Sequence, residues 1–186
     1  FQTKIEDYKK TIPGTVKNSA NDEWRGNVYR NRFYKFRVEF PKGWEYDNGS
    51  TKTTLARALN RKYAAAISVT VTHLPENPKN PNNIFESYTE ETLLAEFNKL
   101  LAMQNTKAEN FKIQKGALNN FPAYLIQFTN EASSGTESYI YLSKQVFCYY
   151  DSKIYQVNIN LPTEMYDANM NKWYNRVVNS FNFEIA

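Results

Sequence analysis

One cysteine, one histidine and six glycines in 186 residues set the first limits on what this chain can do. Cys148 has no partner for an internal disulfide, so the fold must stand on its core. His73 alone excludes a multi-histidine metal site and any mechanism built on a pair of histidines. So few glycines leave little for phosphate cradles, and no Gly-x-Ser-x-Gly elbow, P-loop, dinucleotide fingerprint or EF-hand loop occurs. No apolar run approaches the roughly 18 residues of a membrane helix. The longest, Tyr63 to Val71, is interrupted by Ser68 and Thr70. The chain begins at Phe1 rather than Met, which reads as a start removed by processing or by design, with any lipid anchor upstream of Phe1.

What the chain has is aromatic side chains. They make up 16% of residues, with 14 Tyr and 12 Phe, and a Tyr gives large contact area with a polar tip. The net charge of +4 is mild and leans on Arg25, Arg30, Arg32, Lys35 and Arg37. Glu6, Asp7, Asp22 and Glu23 dilute it, leaving less basic density than nucleic-acid surfaces carry.

Residues 1–25 show scattered charge, a Pro13-Gly14 turn and no sustained apolar period. They read as a tether or loosely docked arm, with Val16 and Trp24 as its possible anchors. The compact domain then runs from Gly26 to Ala186. Tyr34, Phe36, Val38 and Phe40 share one parity, and Lys35, Arg37 and Glu39 the other. That is a half-buried strand, stopped at Pro41 and turned at Gly43-Trp44. Strands are predicted over 51–60, where Thr54 to Asn60 also fits a helix, and over 66–73. The segment 74–83 holds three prolines and four asparagines and is predicted as a loop. Ser87 and Glu90 match a capping box that opens a helix to Met103, with Leu93, Leu94, Phe97, Leu100 and Leu101 on one face. Strands over 111–118, 123–130, 138–150 and 153–161 follow as a meander, turning at Asn119-Asn120, Ser133-Ser134-Gly135 and Asp151-Ser152. A second helix is predicted over 163–181, with Asn182 to Ile185 as a short strand. The sum is an α+β domain: a single antiparallel sheet of about six or seven strands with helices packed on it. Trp44, Phe97, Trp173 and Phe181 are predicted core.

This order of motifs resembles the PsbP/Mog1-like superfamily. The residues that carry the resemblance are Phe40-Pro41-Lys42-Gly43-Trp44, the strand Lys153-Ile154-Tyr155-Gln156-Val157, and Ser180-Phe181-Asn182-Phe183. It covers Gly26 to Ala186. The resemblance implies an α/β/α sandwich and a non-catalytic adaptor, as in extrinsic photosystem subunits, a small-GTPase partner and bacterial exported lipoproteins. It carries over no functional residue. Tyr- and Asn-rich composition is most similar to the exported group, which implies a periplasmic or cell-surface location.

The residues themselves offer little chemistry. His73 shares parity with Ile67, Val69 and Val71 and reads as packed or capped; Cys148, in mid-strand, reads as small core filler. No catalytic, metal or cofactor residue is assigned. The best contact surface is the aromatic and basic stretch Trp24, Arg25, Tyr29, Arg30 and Arg32, continued by Phe33, Tyr34 and Lys35. A strand whose charges simply face water is the plainer reading of it. The loop Pro75–Asn83 is second. Three functions follow: a non-catalytic extracytoplasmic domain contacting a protein or envelope component; a ligand carrier or hydrolytic enzyme with a pocket between helix and sheet; a small-GTPase or nucleic-acid partner. The first fits best.

Overall fold

Among the described residues, eleven strands and two α-helices make two antiparallel sheets with helices packed on them. The computed structural model describes residues 18–49, 51–73, 78, 80–103, 107–134 and 136–185. The strands are β1 (Asp22–Arg25), β2 (Val28–Asn31), β3 (Phe36–Glu39), β4 (Glu45–Asp47), β5 (Thr54–Asn60) and β6 (Ala65–His73). Then come helix α1 (Glu90–Met103), β7 (Ala108–Leu118), β8 (Phe121–Ser134), β9 (Glu137–Tyr150) and β10 (Lys153–Pro162). Helix α2 (Ala168–Ser180) and β11 (Asn182–Phe183) close the chain.

The main sheet has seven strands in the order β4-β5-β6-β10-β9-β8-β7. A second sheet of four, β1-β2-β3-β11, corrects the expectation of a single sheet. The reason is long-range. The apolar parity of Phe36 and Val38 says which face is buried, and β3 then pairs with the far end of the chain, Phe36 opposite Phe183. Parity sorts the main sheet's two faces. Tyr155, Val157, Ile159 and Leu161 meet Phe36, Val38, Phe40, Met170 and Tyr174 in the larger core. Tyr124, Ile126, Phe128 and Phe147 point the other way, against Leu93 and the half-buried Phe97 of α1. Helices therefore cover both faces, as the α/β/α expectation required.

Two hairpin turns form where the sequence places them. Asn119 and Asn120, then Asp151 and Ser152, all adopt positive φ, which a two-residue turn matching strand twist demands. The turn expected at Ser133-Ser134-Gly135 is displaced: Ser133 and Ser134 are paired strand residues opposite Ser138 and Glu137, and Gly135 lies outside the described residues.

Helix starts shift as well. Thr89, not Ser87, caps α1. Its hydroxyl accepts from the Thr92 amide at 3.2 Å, and the Thr92 hydroxyl accepts from the Thr89 amide at 2.9 Å. Two overlapping hydroxyl-x-x-polar patterns compete here, and the pair of threonines wins. In α2 the Asp167 carboxylate accepts from the Met170 amide at 2.8 Å, so residues 163–165 form only a short 3-10 turn before the helix.

Trp44 and Phe181 are buried as predicted, whereas Phe97 and Trp173 are half-buried. Phe97 leans on Phe128 and Phe147, each ring 6.2 Å away, with its remaining surface in water. Phe97→Ala is therefore expected to cost about 1–2 kcal/mol and Phe181→Ala about 3–5 kcal/mol. Denaturant melts of the two variants give the comparison; equal costs would mean α1 seats Phe97 more deeply.

The boundary at Gly26 also moves. Gly26, at φ +61°, is the turn of the β1–β2 hairpin, and Arg25 pairs with Val28 across it. The body therefore includes Asp22–Arg25, because Trp24 is only 6% exposed. Of the expected arm, residues 1–17 lie outside the described residues. So does most of the loop over 74–83.

Candidate functional site

Strand alternation separates the aromatic from the basic residues of the first hairpin. Trp24 and Tyr29 face each other across β1 and β2 inside the core, ring centroids 5.1 Å apart. The Trp24 indole donates to Asn48 Oδ1 at 3.1 Å, and the Tyr29 hydroxyl donates to Asp22. Neither ring is open for stacking. Arg25, Arg30 and Arg32 project outward into ion pairs. Glu23 takes Arg25 at 2.5 Å and Arg32 at 2.9 Å; Glu184 takes Arg30 at 2.7 Å. Arg32 first and Arg25 second hold the Glu23 carboxyl below its usual range. The predicted contact surface resolves into a buried aromatic pair beneath an ion-paired, solvated sheet face.

The lone cysteine and histidine are kept apart. Cys148 is fully buried on β9, and burial pushes its thiol up to about 12, far from a nucleophile's range. His73 is exposed at the end of β6, not packed, because the strand runs out beyond its last apolar inward residue, Val71. Cys148 pairs with Tyr155 and Tyr155 with Val71, so β10 stands between the two. Two strand spacings of about 4.8 Å, plus a two-residue offset, rule out a direct dyad.

The most developed concavity lies where α2 stops covering the main sheet. It holds about 490 Å³, within the range of ligand sites, between α2 and strands β7, β8 and β9. Its polar lining includes Lys112, Gln114, Gln127, Lys144, Asn175 and Asn179, with no carboxylate among the lining residues. Gly116 shapes the floor: a Cβ there would stand 2.4 Å from Leu125 Cδ1, so a larger residue would push the tip of that leucine aside. Lys144 is the fixed element. Its Nζ donates to Tyr166 Oη at 3.0 Å and Asn171 Oδ1 at 3.1 Å, and stands 5.4 Å from the centroids of both Tyr166 and Tyr174. The Tyr174 hydroxyl is itself anchored to the Val157 carbonyl at 2.8 Å. Rings and neutral acceptors hold the ammonium without neutralising it. Such a groove offers amide and ammonium donors to carboxylate, phosphate or hydroxyl oxygen. It contains no nucleophile and base in hydrogen-bond reach.

Sequence reasoning passed over Lys144. The signal was there: along β9 the inward positions run Leu142, Lys144, Val146, Cys148, and a lysine stands where parity reserves an apolar residue.

No protein-family model matches this sequence. No curated protein matches it either. Solved structures do match in shape. Over 89% of this chain and 98% of the other, it is similar to the solution structure of cyanobacterial PsbP (CyanoP) from Synechocystis sp. PCC 6803, with a TM-score of 0.60 and 12% identity. The fold is PsbP/Mog1-like. A crystal structure from Bacteroides thetaiotaomicron matches 86% of this chain at a TM-score of 0.53 and 8% identity, but this chain spans only 49% of that one. LpqN, described as involved in cell envelope biogenesis of Mycobacterium tuberculosis, matches at a TM-score of 0.50 and 12% identity, over 79% of this chain and 82% of its own. Among the described residues no helix of this PsbP-like chain is long and apolar enough to cross a membrane, and no three His, Cys, Asp or Glu side chains cluster as metal ligands.

Proposed function

We propose that this PsbP-like domain is a non-catalytic accessory protein of the bacterial cell envelope, acting outside the cytoplasm. It holds an anionic envelope component or an acidic segment of a partner protein in the α2 groove. The observation that carries this reading is Lys144, which lines a groove free of carboxylates and whose ammonium bonds only neutral acceptors. The shared fold with LpqN, described as involved in cell envelope biogenesis, supports the setting. The buried, proton-retaining Cys148 and the isolated His73 favour binding over chemistry.

Backbone-amide NMR of the whole chain tests it, with a glutamate-rich peptide and phosphatidylglycerol vesicles as anionic partners and phosphatidylcholine vesicles as the neutral control. The anionic partners are expected to move the amides of Lys112, Gln127 and Asn175. Lys144→Met should weaken that binding about tenfold, the share of one charge-assisted contact. Binding that ignores Lys144→Met, or groove amides that no anionic partner moves, would overturn the reading.

A further inference from the structure

A second concavity lies at the C-terminal end of β9, in a different set of residues. It holds about 380 Å³ and is lined by Phe33, Tyr34, Tyr150 and Tyr155 together with Lys35, Asp151 and Lys153. We propose that this cleft is a saccharide-binding site that takes a neutral or acidic pyranose unit, distinct from the α2 groove.

The argument begins with the bare ring of Phe33. It is 63% exposed at a tight turn, where a phenyl group gains nothing for the fold. Phe33 stands edge-on to Tyr34 at 4.9 Å, and Tyr34 stands edge-on to Tyr155 at 6.4 Å, so Phe33 and the half-buried Tyr34 form an aromatic wall backed by the buried Tyr155. Tyr150 continues it, 6.1 Å from Tyr155. A pyranose presents an apolar C–H face to such a wall and hydroxyls at its rim. The charged lining residues supply what those hydroxyls need. Lys153 Nζ is fixed at 2.9 Å from both the carbonyl and the carboxylate of Asp151, so a donor and an acceptor stand side by side at a spacing that suits vicinal hydroxyls.

The lips are preorganised. Lys35 holds φ +53° at one lip, and Asp151 and Ser152 hold the +48° and +57° of their two-residue hairpin turn at the other. Hydrogen bonds pin the backbone at both lips. The Tyr34 amide donates to Asn31 Oδ1 at 2.8 Å, the Glu184 amide to the Lys35 carbonyl at 2.7 Å, and the Asp151 amide to Asn82 Oδ1 at 3.0 Å. A weak ligand benefits most from a site ordered in advance. Charge selects the class of ligand. Two lysines against one aspartate give the lining a net positive charge, which turns away the quaternary ammonium groups that aromatic cages otherwise favour.

The test is saturation-transfer NMR and amide mapping on the whole chain with cellotriose, chitotriose and trigalacturonate. At least one is expected to bind with a dissociation constant near 1 mM or below, moving amides of Lys35, Asp151 and Lys153. Phe33→Ala, at an exposed position, should weaken it at least tenfold with an unchanged melting temperature. Lys144→Met should leave it intact, which separates this site from the α2 groove. If none of the three sugars moves those amides at about 10 mM, the proposal fails. It fails equally if Phe33→Ala binds as the parent does, or if choline binds in the sugars' place.

Discussion

A chain that starts at Gly26 is expected to melt roughly 10 °C or more below the full chain, or to fail to fold. Such a chain loses β1 and with it the indole of Trp24. That ring packs at 5.1 Å from Tyr29, 5.4 Å from Tyr46 and 5.6 Å from Phe40, closing the open edge of the smaller sheet's core. The truncation also removes Asp22, the carboxylate that accepts from the buried Tyr29 hydroxyl. Truncating a buried tryptophan costs about 3–5 kcal/mol, and leaving the Tyr29 hydroxyl proton without its acceptor, while Asn31 still donates to that oxygen, adds about 1 kcal/mol. Against a total stability of about 5–15 kcal/mol, that is a large share. Thermal melting and limited proteolysis decide it, with a chain starting at Asn18 as the comparison. That chain keeps β1 and the bond from the Trp24 amide to Asn18 Oδ1 at 2.7 Å. Trp24→Ala in the full chain should reproduce most of the loss. Equal melting of the Gly26 chain and the full chain would make β1 dispensable.

The same hairpin shows where local sequence stops being informative. Asp-Glu-Trp-Arg contains one apolar residue, so no period exists to mark a strand, and its turn residue Gly26 looks like a boundary. By contrast, the parity of Phe36, Val38 and Phe40 is legible because three apolar residues repeat at one spacing. Two turns of the meander are legible because each has its own chemistry, as at Asn119-Asn120 and Asp151-Ser152, whereas Ser133-Ser134 reads as a turn and is strand. The division into two sheets is not, because the decisive pairing of Phe36 with Phe183 joins residues from opposite ends of the chain. Alternation also dictated that Trp24 and Arg25, like Tyr29 and Arg30, take opposite faces, so proximity in sequence could not put them on one surface. The α2 groove depends on where a helix stops covering a sheet, a tertiary fact. Only Lys144, out of place among Leu142, Val146 and Cys148, hinted at it. The aromatic cleft joins Phe33, Asn82 and Asp151 from three separate loops, and the sequence marked the first two regions without the third.

Alkaline unfolding is expected to be steep and to begin near pH 9. Cys148 keeps its proton in the folded chain up to about 12, against an ordinary 9.0, because burial disfavours the thiolate. Tyr29, Tyr149, Tyr155 and Tyr174 are likewise raised above the usual phenol range, burial being the first cause in each. For Tyr29 the neighbouring Asp22 carboxylate adds to the effect, and for Tyr155 the Asp151 carboxylate does. In every case the unfolded chain releases its proton first, so it binds fewer protons than the folded chain as pH rises, and stability falls with pH. Stability should be level with respect to these groups below about pH 9 and drop through pH 9–12. The thiol alone removes roughly 4 kcal/mol by pH 12, at about 1.4 kcal/mol per unit, and the tyrosines add to it. Tyrosinate absorbance followed together with circular dichroism gives the check. The buried phenols should ionise only as the secondary structure is lost, in one cooperative step, while exposed tyrosines titrate earlier. Cys148→Ala should move the midpoint of that step to higher pH. Smooth ionisation of all the tyrosines near pH 10 with the fold intact would show that the core admits water, and the packing of Tyr29 and Tyr155 between the two sheets would have to be redrawn.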